Sequence, residues 1–139
     1  MNTLVDTSVW SLSLRRQPAD LNPSQRLIVR ELTELIAEGR AFLIGPIRQE
    51  ILSGIRSPSQ FESLRLFLRD FPDVQLAASD YESAAMASNK CKSKGLIVSV
   101  VDALICAVAL DRDFTIFSID RDFERFTDIL NIELHSPRK

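Results

Sequence analysis

The fifteen residues from Leu96 to Leu110, LIVSVVDALICAVAL, carry a single charge, that of Asp102. From Ser99 onward this segment is apolar nearly all round, which predicts a helix in the centre of the fold. An ionised carboxylate in such surroundings is unfavourable unless it is paired, hydrogen-bonded or bound to a cation. Asp102 is therefore the first candidate for a functional residue.

Three other acids stand at the end of an apolar segment or shortly after one. Asp6 closes the apolar start of the chain, Glu50 comes one short helical step after Phe42–Ile44, and Asp120 follows Thr115–Ile119. Acids that repeatedly occupy such positions suggest a shared cation.

Strand-like and helix-like segments alternate along the 139 residues, a length that suits one domain with a hydrophobic core. This alternation predicts a three-layer α/β/α sandwich around a mainly parallel sheet, with residues 1–139 forming a single domain. Strands are expected at 1–6, 41–44, 115–118 and 132–134, and helices are expected to begin near Asp6, Asn22, Gly45, Ser57, Ser79, Ser99 and Asp122.

Two local expectations are more detailed. Ser79 and Glu82 have the spacing of a capping box, which places a helix start at Ser79. In the preceding helix, the spacing of Phe61, Leu64 and Leu68 predicts that all three point inward.

The composition excludes several classes of protein. No uncharged run approaches the roughly 20 apolar residues of a membrane helix, and the start of the chain does not resemble a secretory signal. Cys91 and Cys106 match no zinc motif and read as buried free thiols, so we expect a cytoplasmic protein. The formal net charge of −2 does not indicate nucleic-acid binding, although basic residues are clustered, as at Arg15-Arg16.

Each of the four acids also has a purely local interpretation. Asp102 can complete a capping box with Ser99, Asp6 and Asp120 can bond their own backbone in turns, and Glu50 can pair with a neighbouring arginine, Arg48 or Arg56. In a parallel sheet, however, the carboxyl ends of the strands meet at one edge. Like-charged carboxylates gathered there repel unless a cation neutralises them, and this favours the shared site.

Oxygen-only ligands favour Mg²⁺ or Mn²⁺ as the cation. Such an ion lowers the pKa of bound water and stabilises charge on phosphate oxygens. The chemistry indicated by the four acids is therefore phosphodiester hydrolysis.

Four segments in order resemble the motifs of PIN-domain ribonucleases, in particular VapC-type toxins of bacterial toxin–antitoxin pairs. They are Leu4–Trp10, Gly45–Gly54, Ser99–Ala107 and Phe117–Phe123. The fourth motif is usually Thr-x-Asp-x-Asp-Phe, and here Ser118 replaces the threonine but keeps the hydroxyl. The resemblance spans residues 2 to about 134 and implies a PIN-like fold.

The resemblance also implies roles for individual residues. Asp6 and Asp102 are the main metal ligands, and Asp120 and Glu50 complete the catalytic site directly or through metal-bound water. Supporting roles fall to Thr7, Ser8 and Ser118, whereas Asp122 either assists or caps the helix that it begins. The implied cofactor is Mg²⁺ or Mn²⁺, and the implied partners are an RNA substrate, a small cognate antitoxin and a second copy of the chain in a homodimer.

Other functions remain open from the sequence. A receiver domain would show paired acids after its first strand, and a haloacid-dehalogenase-like phosphatase would show Asp-x-Asp where this chain has Asp6-Thr7-Ser8. A non-catalytic α/β binding module would use the acids only as caps. A metal-free mechanism with two histidines is excluded because His135 is the only histidine.

Overall fold

The computed structural model describes residues 1–139 as three short strands and seven helices. The strands are β1 (Thr3–Val5), β2 (Ala41–Phe42) and β3 (Thr115–Phe117). The helices are α1 (Thr7–Arg15), α2 (Pro23–Ala37), α3 (Gly45–Leu52), α4 (Pro58–Leu68), α5 (Ala78–Ser93), α6 (Val100–Arg112) and α7 (Asp122–Phe126), with a 3₁₀ turn at Pro18–Asp20.

The sheet is parallel and has the strand order β2-β1-β3. The central strand is β1, and all three of its residues are buried. The last residue of β1, Val5, lies opposite the last residue of β3, Phe117, so both strands end at the same edge of the sheet. The Asp6 N–H donates to the Phe117 carbonyl at 2.9 Å and continues the pairing by one residue. The predicted α/β/α sandwich with a parallel sheet is confirmed.

Helices cover the sheet, and α6 lies deepest among them. Its residues Ala103–Ala109 are all buried, as the apolar sequence predicts. Helix α5 packs along α6, while α1 packs against α2 and α3. No helix is both long enough and apolar enough to cross a membrane.

Three expectations from the sequence are wrong in detail. Residues 132–134 form only an isolated bridge between Leu134 and Ile116, not a strand. Helix α5 begins at Ala78, because the Asp80 carboxylate accepts a hydrogen bond from the Ala77 N–H and is held by Arg112. Phe61 lies on the exposed side of α4, whereas Leu68 is fully buried.

Candidate active site

Asp6 lies between the end of β1 and the start of α1, and its carboxylate is held through one oxygen. Oδ2 accepts hydrogen bonds from the hydroxyls of Ser8 at 2.7 Å and Ser118 at 2.8 Å. It also receives the Ser8 N–H at 3.4 Å, so Asp6 caps α1 as the local interpretation expected. The other oxygen, Oδ1, accepts no hydrogen bond from the protein and remains free for a cation.

The two serine hydroxyls are oriented by the backbone after β3. The Ile119 N–H donates to Ser8 Oγ at 3.2 Å, and the Asp120 N–H donates to Ser118 Oγ at 3.0 Å. Because these N–H groups occupy acceptor positions on the hydroxyls, each hydroxyl proton is directed toward Asp6. The carboxylate is therefore fixed from two chain segments more than 100 residues apart.

Glu50 lies on α3 and faces α1. The Thr7 hydroxyl donates to Glu50 Oε1 at 2.9 Å, which links the first residue of α1 to the second acid. Glu50 forms no ion pair with Arg48 or Arg56, since Arg48 instead donates to Asp73 at 2.9 Å. The local interpretation of Glu50 as the partner of a neighbouring arginine is therefore wrong.

Asp102 lies in the first turn of α6, and its carboxylate is partly buried. Ser99 caps the helix by accepting the Asp102 N–H at 3.1 Å, but no return bond from the Asp102 carboxylate completes a capping box. Burial raises the pKa of Asp102 to about 6, and the negative charge of Asp6 is the next largest cause. The charges of Asp120 and Glu50 raise it further, against a lowering effect of Ser99.

The hydrogen bonds from Ser8 and Ser118 to Asp6 join the ends of β1 and β3 at one edge of the sheet, and the charges of Asp6, Asp120 and Glu50 all act to raise the pKa of Asp102. Asp6 and Asp102 occupy the buried side of this edge, whereas Glu50 and Asp120 are exposed. Like charges in a partly desolvated site favour the neutral form of a carboxyl group, as the raised pKa of Asp102 indicates. We refer to Asp6, Glu50, Asp102 and Asp120 as the acid cluster.

The two acids after β3 differ in their contacts. Asp120 Oδ1 accepts the Asp122 N–H at 2.9 Å, so one oxygen of Asp120 has the turn role expected from local chemistry. Asp122 is exposed at the start of α7, and its carboxylate lies 3.9 Å from Arg125 Nη1. The side chain of Asp122 makes no hydrogen bond to any member of the acid cluster.

The donor set of the acid cluster suits a hard divalent cation, because every donor is a carboxylate or hydroxyl oxygen. No three acidic, histidine or cysteine side chains are gathered closely enough to enclose an ion by themselves. This arrangement fits Mg²⁺ better than a fully protein-coordinated ion, since Mg²⁺ usually keeps several waters and takes one or two carboxylates. Asp6 and Asp102 are the two carboxylates nearest the core.

A second group of charged side chains, absent from the sequence predictions, lies elsewhere in the molecule. Glu31 on α2 is 2% exposed and accepts hydrogen bonds from Arg138 Nε at 2.7 Å and from the His135 ring. Arg138 also binds Glu38 at 2.8 Å. We refer to Glu31, Glu38, His135 and Arg138 as the Glu31 cluster. The only histidine is thus outside the acid cluster, and so is Trp10, which is buried and donates to the Val5 carbonyl.

Comparisons with known proteins point to one family. The family model for the PIN domain matches residues 3–129. The chain is 28% identical over 137 residues to Ribonuclease VapC11 of Mycobacterium tuberculosis and to VapC ribonuclease Mb1587 of Mycobacterium bovis, covering 97% of this chain and 98% of each relative.

Solved structures show the same fold at lower identity. A chain in the crystal structure of FitAcB from Neisseria gonorrhoeae aligns with a TM-score of 0.75 and 21% identity, covering 97% of both chains. A chain in VapBC2 from Rickettsia felis, bound to a DNA fragment from their promoter, aligns with a TM-score of 0.74 and 19% identity, covering 97% of this chain and 98% of that one.

Proposed function

The chain belongs to the PIN domain family, and on this premise we propose that it is a Mg²⁺- or Mn²⁺-dependent endoribonuclease that hydrolyses RNA phosphodiester bonds. The observation that carries this proposal is that the protein holds only one of the two carboxylate oxygens of Asp6. Two serine hydroxyls hold Oδ2, while Oδ1 accepts no hydrogen bond, and the charge of Asp6 acts on the partly buried Asp102. A carboxylate that served only as a helix cap would not need a second hydroxyl supplied from the far end of the chain.

Each residue of the acid cluster has a proposed task. Asp6 Oδ1 and the Asp102 carboxylate would hold the cation, which when bound supplies an activated water and neutralises charge on phosphate oxygens. Glu50 and Asp120 would orient coordinated water from the exposed side, and Thr7 would hold Glu50 in place through its 2.9 Å hydrogen bond. In-line attack of water on phosphorus with cleavage of the P–O3′ bond leaves a 5′-phosphate and a 3′-hydroxyl.

The partner proposal rests on the proteins that this chain resembles. Its curated relatives are named VapC ribonucleases, and VapBC2 was solved with promoter DNA. We expect this chain to be the toxin of a bacterial toxin–antitoxin pair, to act in the cytoplasm and to form a homodimer. Its small antitoxin is expected to cover the acid cluster with its C-terminal part, with an arginine placed among the carboxylates.

Cleavage of a panel of structured RNAs, with Mn²⁺ and with chelator, tests the catalytic proposal. Asp6→Asn and Asp102→Asn should each lower the cleavage rate by at least about 100-fold, because each removes a ligand charge. Glu38→Gln is the matched control, since it neutralises an exposed carboxylate outside the acid cluster and should cleave at the wild-type rate. Cleavage at full rate in excess chelator would contradict the metal mechanism.

Expression in a bacterium tests the toxin proposal separately. The wild-type chain expressed alone should slow growth, and Asp102→Asn should not, provided that both proteins accumulate to the same soluble level. Normal growth with soluble wild-type protein would count against a toxin role even if the purified protein cleaves RNA.

A further inference from the structure

Arg15, the last residue of α1, differs from the other hydrogen-bonded arginines of this chain. Its Nη2 donates to the Ile51 carbonyl at 2.9 Å and to the Ser53 carbonyl at 3.2 Å, at the end of α3. No carboxylate lies within ion-pair distance of Arg15. In contrast, the five other arginines with side-chain hydrogen bonds all pair with an acid: Arg40, Arg48, Arg65, Arg112 and Arg138.

These contacts fix the guanidinium of Arg15 without neutralising it. A guanidinium has five N–H donors, and only those on Nη2 are used, so Nε and Nη1 remain available. The carbonyls at the C-terminal end of α3 also favour a cation at this place through the helix dipole. A rigid cation with free donors in a fork is suited to bind a phosphate or a carboxylate from outside the chain.

The position of Arg15 favours a phosphate of the substrate. Two open grooves run from Arg15 toward the acid cluster: one of about 500 Å³ reaches Glu50, and one of about 610 Å³ reaches only its neighbours Ser8 and Ile119. Arg15 lines both grooves, and the unpaired Arg16 lines the larger one together with Asp20. From Thr7 to Arg15 the helix rises about 12 Å, so a phosphate bound at Arg15 lies away from the scissile bond along the strand.

We propose that Arg15 is a positioning residue that binds a backbone phosphate of the RNA strand other than the scissile one. This inference rests on the proposed function, because it assumes that the strand enters the acid cluster along α1. The α3 carbonyls preorganise the guanidinium, so Arg15 contributes to substrate affinity and register rather than to the chemical step. Because the contact is to the backbone, it does not select a base.

Salt-dependent RNA binding tests this role independently of cleavage. The probe is a fluorescently labelled, mixed-sequence single-stranded RNA of about 12 nucleotides, titrated in chelator over a series of salt concentrations. Arg15→Gln keeps an N–H donor for the α3 carbonyls but removes the charge. It should weaken binding about 5- to 10-fold at low salt and reduce the slope of log K against log salt by about 0.7. Arg15→Lys should restore the slope.

Arg30→Gln is the matched control, because Arg30 on α2 is exposed, forms no ion pair or hydrogen bond and lines neither groove. It should bind the RNA with the wild-type slope. In Mn²⁺-dependent cleavage, Arg15→Gln should raise KM with kcat within about twofold of wild type. If Arg15→Gln does not fold, Arg15→Met, which keeps the apolar stem, replaces it in the same titrations.

The outcomes separate this inference from the proposed catalysis. A wild-type salt slope for Arg15→Gln, an equal loss in Arg30→Gln, or no RNA binding by the wild type would overturn the role of Arg15. In the first case, the free donors would instead suit a carboxylate of a protein partner. If the wild type binds RNA through Arg15 but no RNA is cleaved with Mn²⁺, the proposed catalysis fails and the role of Arg15 stands.

Discussion

The acid cluster and the Glu31 cluster differ in whether their carboxylates are paired with basic side chains of the same chain. In the acid cluster, no carboxylate pairs with an arginine or lysine, and the pKa of Asp102 rises to about 6 through burial and the charge of Asp6. In the Glu31 cluster, burial also acts to raise the pKa of Glu31, but hydrogen bonds from His135 and Arg138 lower it below its ordinary value.

On the proposed function, this difference separates carboxylates that bind a cation from one that stabilises the fold. The charge of Glu31 is neutralised by His135 and Arg138 within the chain. The acid cluster has no such cationic partner within the chain, so the folded state carries the repulsion among its charges. Natural proteins commonly accept such a cost in stability at functional sites.

The largest effect on stability should come from binding of the proposed cation. Mn²⁺ should stabilise the wild-type protein by about 2.7 kcal/mol when its free concentration reaches about 100 times the dissociation constant. Asp102→Asn should lose most of this gain, whereas Glu38→Gln should retain it. Thermal melts with Mn²⁺ and with chelator measure the difference. If the melting temperature of the wild type is the same with Mn²⁺ and with chelator, the acid cluster does not bind the cation.

Breaking the Glu31 cluster should have the next largest effect, in the opposite direction. Glu31→Gln removes the charge that His135 and Arg138 surround and should destabilise the protein by about 2 kcal/mol. The Glu31 carboxylate favours the fold above its unfolded pKa, near 4.5, and this contribution fades as the pH falls further. Urea unfolding of both proteins should therefore differ at pH 7 and converge in acid, and equal stabilities at pH 7 would refute this assignment.

The smallest effect on stability should come from removing one charge of the acid cluster in the absence of metal, because this reduces the repulsion among its carboxylates. The folded-state pKa of Asp102 lies above its ordinary value of 3.8, so its ionisation opposes folding increasingly between about pH 4 and pH 6 and fully above that. In chelator, Asp102→Asn should gain about 1 kcal/mol at pH 7, an advantage that vanishes below about pH 4. A lower melting temperature for Asp102→Asn at pH 7 would indicate that Asp102 serves only the helix.

The helix starts that were predictable from sequence share a strong local signal. Asn22-Pro23 and Ser57-Pro58 each combine a capping side chain with proline at the first helical position, and both helices begin there. The start of α5 was not predictable, because Ser79-x-x-Glu82 and the observed pair of Ala77 and Asp80 have the same spacing. Arg112, 32 residues away, holds Asp80 and decides between them.

In the candidate site too, local patterns indicate some residues, whereas contacts between distant residues leave no signal in the sequence. Its four acids could be selected because three of them follow apolar segments, Asp102 stands inside one, and parallel strands end at one edge of the sheet. The support of Asp6 by Ser118 was expected only from the resemblance, whereas the N–H groups of Ile119 and Asp120 leave no signal in the sequence. Glu31 and His135 lie 104 residues apart, and no periodic pattern connects them.

The order of the strands has a consequence for how the protein is synthesised. The central strand β1 is the first to leave the ribosome, and its neighbour β3 follows more than 100 residues later. Contacts of such high sequence separation form slowly and late. A nascent chain that ends before Ser118 lacks the second hydroxyl that holds Asp6 Oδ2, so this support of the carboxylate forms only after most of the chain has been made.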